Sequence, residues 1–234
     1  MYDIVFISYN EPNADENFAR LKSRFPLIKR VDGVKGIHQA HITAAKRVFT
    51  KMFWVVDGDA KVLDHFDFNF NPAYKDIDLE TVYVYKSQNP INGLVYGYGG
   101  VKLLPKKLTM EMDLSKPDMT TSISNKFVPL PEISNITDFN TDPFNTWKSA
   151  FRECVKLSSG AIERQNSKET KERLQTWCSV GIDMQYGDFA IKGALAGKKY
   201  GQDNAGNIPA LTLINDFDWL QNYFATSSAA IGNT

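Results

Sequence analysis

Two cysteines, three histidines and no net charge in 234 residues remove several classes of protein at once. Cys154 and Cys178 form neither a CxxC pair nor a spaced series, which argues against a disulfide framework or a zinc knuckle. Two buried thiols in a reducing compartment are expected. Basic and acidic residues balance at 27 each, so no global field draws the chain to nucleic acid or to a membrane surface. Any polyanion site has to be a local patch. No run approaches the roughly 20 apolar residues of a membrane span. Met1-Tyr2-Asp3 leads straight into a short apolar segment, without the basic region and long apolar core of a signal peptide. A cytoplasmic protein with no membrane partner is expected. Asn135-Ile136-Thr137 fits a glycosylation sequon, which without a secretion signal reads as chance.

What is present is ordinary globular composition, 43% hydrophobic and 23% charged, enough for one domain with a sizeable core. The first 60 residues alternate strand and helix signals. Ile4-Val5-Phe6-Ile7 is a continuous apolar run of the kind a buried parallel strand needs. A turn cluster, Asn10 to Asn13, precedes a helix over 14–24. Leu27 to Val31 reads as a second strand, stopped by Asp32-Gly33. Ile37, Ala40, Ala44, Ala45 and Val48 share a helical face, predicting a helix over 37–50. Phe53-Trp54-Val55-Val56 is the third strand. This order implies an α/β fold with a mostly parallel central sheet flanked by helices and right-handed crossovers.

Further strands are expected over 81–86 and 94–104. The Ser-, Thr-, Asn- and Pro-rich stretch 113–142 reads as long loops with one short strand near 126–128. Asp142 as N-cap with Pro143 at N1 starts a helix to about 157. Helices are expected over 163–173 and 189–196, the latter ended by Gly197. Residues 226–234 read as a loose tail.

The chemistry concentrates at Asp57-Gly58-Asp59. Two aspartates at i, i+2 after a buried strand project from the carboxyl edge of the sheet, where ligands of such folds bind. Glycine between them gives ligands room to approach. A Mg2+ or Mn2+ ion takes one or two such carboxylates together with phosphate oxygens and water. An ion placed there stabilises a diphosphate leaving group as a Lewis acid. Asp-Gly-Asp also occurs in plain turns. An EF-hand loop fails, because Lys61 and Val62 stand where Asp or Asn and Gly are required. A phosphatase of the haloacid dehalogenase type also places Asp-x-Asp after a strand, but its motif follows the first strand.

Ser8-Tyr9-Asn10-Glu11, the Ala-rich helix around Ala40 to Lys46, and Phe53 to Ala60 together resemble the nucleotide-sugar half of GT-A-fold glycosyltransferases. The wording is closest to glycosyltransferase-like proteins of tailed phages, some of which glycosylate hydroxymethylcytosine in DNA. The resemblance covers roughly residues 1 to 105. It implies a GT-A-like domain with a nucleotide-sugar-binding half over 1–105 and an acceptor half over 106–225. It implies a hexosyl- or pentosyltransferase using a nucleotide-diphosphate sugar, such as a UDP-sugar, with Mn2+ or Mg2+ on Asp57 and Asp59. The acceptor is then a hydroxyl on double-stranded DNA, or on a glycan or protein. A domain that binds nucleotide sugars without turnover is the other outcome.

Carried over residue by residue, the resemblance sets Ser8, Tyr9 and Asn10 at the nucleoside, with Lys35, Gly36 and Gly58 close to the nucleotide. A turn and helix start is the plainer reading of Asn10-Glu11-Pro12. Three glycines within four residues at 97–100 call for a bulge or a close approach. The resemblance sets Gly99, Gly100 and Lys102 beside the donor sugar and acceptor. Glu153 is the implied general base, although Cys154 fills the place of a usual second acid; Asp183 and Asp188 are rivals. All three histidines precede residue 66, so no late histidine supplies a third metal ligand, and Asp216 or Asp218 are alternatives. His38 and His41 read as solvated or packed. For DNA, the phosphate-contacting candidates are Lys102, Lys106, Lys107, Lys192, Lys198 and Lys199, with Tyr96, Tyr98 and Trp177 to stack on a base.

Overall fold

Continuous apolar runs become buried strands, and their order along the chain sets the sheet. The computed structural model describes residues 1–70, 78–97, 99–116, 118–160 and 166–231, with side chains described as far as residue 226. The chain divides into two compact units. The first comprises Met1–Pro90, Val95–Leu114 and Met119–Asp138, and the second Ile91–Leu94, Ser115–Asp118 and Phe139–Thr234.

The first unit holds β1 (Asp3–Ser8), α1 (Ala14–Arg24), β2 (Lys29–Asp32), α2 (Ile37–Lys46), β3 (Met52–Asp57) and β4 (Ala60–Val62). It continues with β5 (Val82–Gln88), β6 (Val95–Tyr96), β7 (Val101–Pro105), α3 (Lys106–Met110), α4 (Met119–Ile123) and β8 (Phe127–Thr137). The sheet runs β2-β1-β3-β7-β5-β8-β4, with β6 on β5. β1 lies parallel to β2 and β3, as the sequence pattern implies, and β5 lies parallel to β8. The pairs β3–β7, β5–β7, β4–β8 and β5–β6 are antiparallel, so the sheet is mixed. The parallel character of the opening strands does not extend across it.

Alternation along each strand divides the core into two layers. Phe6, Trp54, Val56, Leu103 and Tyr85 face α1, with Phe66 and Phe68 packed edge-on against Trp54 at ring separations of 6.0 and 5.4 Å. Val5, Ile7, Phe53, Val55, Val84 and Leu104 face Ala40, Ala44 and Ala45 of α2. The small side chains of α2 let it lie close to the sheet. This helix ends at Lys46, short of the expected 50. The next residues are tied down by the Asp3 carboxylate, which accepts from the Phe49 and Thr50 amides at 2.7 and 3.0 Å.

The second unit, among the described residues, is helical: α5 (Pro143–Ser159), α6 (Ser167–Trp177), α7 (Gly187–Asp203), α8 (Ile208–Thr212) and α9 (Phe217–Ile231). Asp142 caps α5 by accepting from Asn145 N at 2.8 Å, with Pro143 in the first turn. α6 takes in the later part of the expected charged helix, and 163–165 lie outside the described residues. α9 reaches Ile231 and includes part of the stretch read as a tail, of which 232–234 lie outside the described residues. α7 runs through Gly193, Gly197 and Gly201, where a Cβ would meet the carbonyl oxygens of Trp147, Phe151 and Val155 at 2.4, 2.3 and 2.7 Å. Four-residue spacing on both helices puts these positions in register, and glycine lets the α5 and α7 backbones touch.

Candidate functional site

Strand register brings the chemistry-bearing residues of the first unit to one edge of the sheet. Ile7 pairs with Asp57, Ser8 with Asp32, Val56 with Val101, Ser87 with Asn135 and Ala60 with Thr137. Backbone bonds stitch the connecting loops together there. Asp57 N donates to Gly100 O at 2.9 Å, Gly33 N to Ser8 O at 3.1 Å and Asp138 N to Asp59 O at 2.7 Å.

Asp57 ends β3 on the same face as Phe53 and Val55. Lys102, one residue into β7 and paired with Val55, shares that face. Its ammonium donates to both Asp57 carboxylate oxygens at 2.8 Å, and to Gly99 O. An ammonium has three donors, and all three are used. Lys102 is only 2% exposed, whereas the Asp57 side chain is 33% exposed. The lysine expected beside the donor sugar is therefore a buried counter-ion, and the Asp57 carboxylate it holds stays partly exposed.

His41 of α2 lies behind this pair. Its Nδ1 is 2.8 Å from Ile37 O; because a carbonyl only accepts, Nδ1 carries the proton. Nε2 is buried and has no hydrogen-bond partner among the described residues. Burial, then the Lys102 charge, pull the imidazole pKa down to about 4, so the ring is neutral. His38 contacts Ser122 Oγ at 3.2 Å.

Gly58 is where the first loop closes on the aspartate turn. A Cβ there would fall 2.6 Å from Glu11 Oε2 and 3.2 Å from Ser8 Cβ. Glu11 Oε2 also accepts from Tyr9 N at 2.6 Å, and Asn17 Nδ2 donates to Gly58 O at 3.0 Å. Glu11, quoted in the 8–11 motif and otherwise read as part of a turn, is the residue that closes this loop onto the aspartate turn. Tyr9 is half-buried beside it and Asn10 is exposed, at φ 62°. Ser8 is buried behind them. Its buried hydroxyl donates to Asp32 Oδ1 at 2.5 Å and accepts from Arg30 Nε at 3.0 Å, so it is engaged in ordering the β1–β2 edge. Lys35 and Gly36 are exposed where α2 begins, without a side-chain cap on its first amides.

Gly99 and Gly100 lie next to Asp57. A Cβ on Gly100 would sit 2.7 Å from Asn135 Nδ2, so the glycine admits this buried amide. Asn135 Oδ1 accepts from Ser87 and Ser134 hydroxyls at 2.8 and 2.9 Å, while Nδ2 has no hydrogen-bond partner among the described residues. Burial also removes Asn135 from any glycosylation. Nothing in the sequence beyond that chance sequon singled it out.

Glu153, Asp183, Asp188, Asp216 and Asp218 all belong to the second unit. Glu153 is half-buried on α5, Asp188 pairs with Lys192 at 3.1 Å, and Asp216 accepts from Asp218 N and Trp219 N at the start of α9. Among the described residues, no three His, Cys, Asp or Glu side chains are grouped to hold a metal ion. Several DNA-contact candidates are already engaged: Lys102 with Asp57, Lys106 with Val48 O at 2.7 Å, and Lys199 with Asp203 at 2.8 Å. Tyr96 and Trp177 are buried and offer no ring face to a base; Tyr98 lies outside the described residues.

No described helix is long and apolar enough to cross a membrane. No family model matches the chain, and no curated protein matches it. Among solved structures, similarity extends to HddC from Yersinia pseudotuberculosis at 13% identity, over 57% of this chain and 92% of that one, with a TM-score of 0.36. A glycosyltransferase involved in the glycosylation of the major capsid of PBCV-1 is similar at 13% identity, over 55% of this chain and 82% of that one, with a TM-score of 0.34. At these scores, it is the geometry of the sheet edge that carries the functional reading.

Proposed function

We propose that the chain transfers a sugar from a nucleotide-diphosphate donor to a hydroxyl acceptor, with the donor seated at the carboxyl edge of the first unit's sheet. The observation that carries this is the Asp57-Gly58-Asp59 turn itself. It follows a fully buried strand, it is stripped of a side chain where Glu11 closes on it, and it presents two carboxylates with different surroundings.

In this reading Tyr9 and Asn10 hold the nucleoside, Lys35 and the open first turn of α2 face the phosphates, and Gly99 and Gly100 let the sugar approach the backbone. Asp59 and the partly exposed carboxylate of Asp57 hold Mn2+ or Mg2+. The donor set is all oxygen, which suits these hard ions, and it is too small to retain one without phosphate oxygens. Lys102 offsets one of the two negative charges, which weakens cation binding further until a diphosphate arrives. Bound there, the cation neutralises charge growing on the leaving diphosphate. Glu153 is the proposed base on the acceptor hydroxyl.

The test is thermal stabilisation by UDP-sugars and other nucleotide sugars, each with Mn2+ or with a chelator, followed by transfer to glycan, protein and hydroxymethylated duplex-DNA acceptors. A ligand at about 100 times its Kd adds about 2.7 kcal/mol to the folded state. Stabilisation should need cation and nucleotide together, and Asp59→Asn should abolish the synergy. Equal stabilisation in chelator refutes the metal assignment. The absence of stabilisation by any nucleotide sugar refutes the donor site.

A further inference from the structure

At the far end of the strands that carry Asp57, the first unit has a surface that the proposed transfer does not use. β1, β2 and β3 begin there and antiparallel β7 ends there, with Met52 opposite Pro105. Leu27, two residues before β2, and Phe49, three before β3, are 92% and 90% exposed, the highest values for large apolar side chains among the described residues. Both stand on connections that are tied down. Phe49 N donates to Asp3 Oδ2 at 2.7 Å, and Ile28 N donates to Phe25 O at 3.0 Å. The Lys29 ammonium links the two connections. It donates to Asp3 Oδ1 at 2.7 Å and to Arg47 O at 2.9 Å, and lies 4.6 Å from the centre of the Phe49 ring.

Positive charge gathers around these two side chains. Lys46, Arg47 and Lys51 are exposed on or beside the connection that carries Phe49, and Lys107 is exposed in the first turn of α3. Lys106 anchors α3 to that connection, N to Lys51 O at 2.9 Å and Nζ to Val48 O at 2.7 Å. Carboxylates are fewer: Asp3 is taken by Lys29, and Glu111 stands at the end of α3. Beyond β7, Leu79 and Phe127 are 45% and 44% exposed where β5 and β8 begin, and Asp78 and Glu80 are both paired with Lys126. We infer that this edge docks on a bilayer surface carrying anionic headgroups, with Phe49 and Leu27 entering the boundary between headgroups and acyl chains. A chain without net charge has no global pull toward such a surface, so the attraction is local. Each exposed cation gains from the negative headgroups within a Debye length. Cations alone suit any polyanion. An exposed leucine gains nothing from a phosphate backbone, whereas a bilayer takes both apolar side chains out of water. Docking here leaves the opposite edge, with Asp57 and Asp59, facing water, so neither site needs the other.

The experiment sediments the full chain with vesicles of phosphatidylcholine alone, or of phosphatidylcholine and phosphatidylglycerol in equal parts. Binding should require the anionic lipid and weaken as sodium chloride is raised. Phe49→Ser should lower partitioning about tenfold, and Lys51→Gln and Lys107→Gln about fivefold each. Leu27→Ser should weaken binding in the same direction. All four side chains are exposed, so melting temperatures should stay close to wild type. The indole of Phe49→Trp should be quenched when the mixed vesicles carry lipid brominated on its acyl chains. Equal sedimentation with both vesicles, or none with either, overturns the docking. Anionic-lipid binding that survives Phe49→Ser and Leu27→Ser unchanged, and that duplex DNA competes away, overturns it in favour of a plain polyanion patch.

Discussion

Asp57→Asn leaves the Lys102 ammonium where only 2% of the residue meets solvent, with its counter-charge gone. Two unit charges about 4 Å apart attract by about 4 kcal/mol at an effective dielectric constant of about 20. Asparagine keeps one acceptor oxygen, and Gly99 O still takes the third N–H, so part of that is retained. Removing one side of a fully buried ion pair costs about 3–5 kcal/mol; the one-third exposure of Asp57 lowers the expectation to about 3 kcal/mol. Lys102→Met strands a carboxylate that water already reaches, which should cost about 1–2 kcal/mol. The double variant carries neither charge and should lose no more than Asp57→Asn alone. The single losses then exceed the double loss by at least about 1 kcal/mol, the size of coupling expected for groups in contact. Urea unfolding at neutral pH, with equal slopes for all four proteins, reads each value. Additivity within about 0.5 kcal/mol refutes the pairing. One consequence is practical: Asp57 variants mix lost function with lost stability, so the stability of each has to be read beside its activity.

Other outcomes follow from single contacts. His41 titrates near 6.5 when unfolded and at about 4 when folded, so stability is full above pH 6.5 and falls as the pH drops toward 4. Wild type should lose about 2 kcal/mol more than His41→Leu between pH 7 and pH 5 in urea melts, and parallel curves would remove His41 as the cause. Gly197→Ala would place a Cβ 2.3 Å from Phe151 O. The roughly 1 kcal/mol gain in helix propensity should be outweighed by backbone overpacking, for a net loss of about 1–3 kcal/mol; a rise in Tm would contradict the close helix contact. Glu153→Gln should keep nucleotide-sugar binding and lose transfer, measured by calorimetry and radiolabelled sugar, since a base acts on the acceptor in the transition state. Wild-type turnover in that variant moves the role to Asp183 or Asp188.

Local signals sufficed wherever local physics decided the structure. The continuous apolar runs of β1 and β3, the α1 boundaries and the Asp142-Pro143 start of α5 appear where the pattern sets them. The misses come from tertiary contacts. β8 spans Phe127–Thr137 through Pro129 and Pro131, which read as loop; it forms because β5 offers a buried partner along its length. Gly197 reads as a helix stop, yet α7 continues to Asp203 because glycine at 193, 197 and 201 is what α5 requires of its neighbour. The four-residue spacing was visible in the sequence. Its meaning depended on knowing that Trp147, Phe151 and Val155 repeat with the same period on the facing helix.

The same division runs through the site. The place of Asp57-Gly58-Asp59 at the end of β3 was legible because the apolar run before it fixes where the strand stops. Lys102 was not, although one signal existed: a lysine between Val101 and Leu103-Leu104 in a strand buried on both faces needs a partner to be there at all. Which carboxylate supplies it depends on the β3–β7 register, and that pairing joins residues 45 positions apart. Ser8 shows the converse. Its place beside the nucleoside follows from the motif, but Asp32 and Arg30 of the neighbouring strand take its hydroxyl. A motif therefore locates the edge of the sheet, and the register between strands decides which of its side chains are left facing outward. On this edge Tyr9 and Asp59 are half-buried, Asn10 is exposed and the Asp57 side chain is one-third exposed, and the donor site is proposed on these residues.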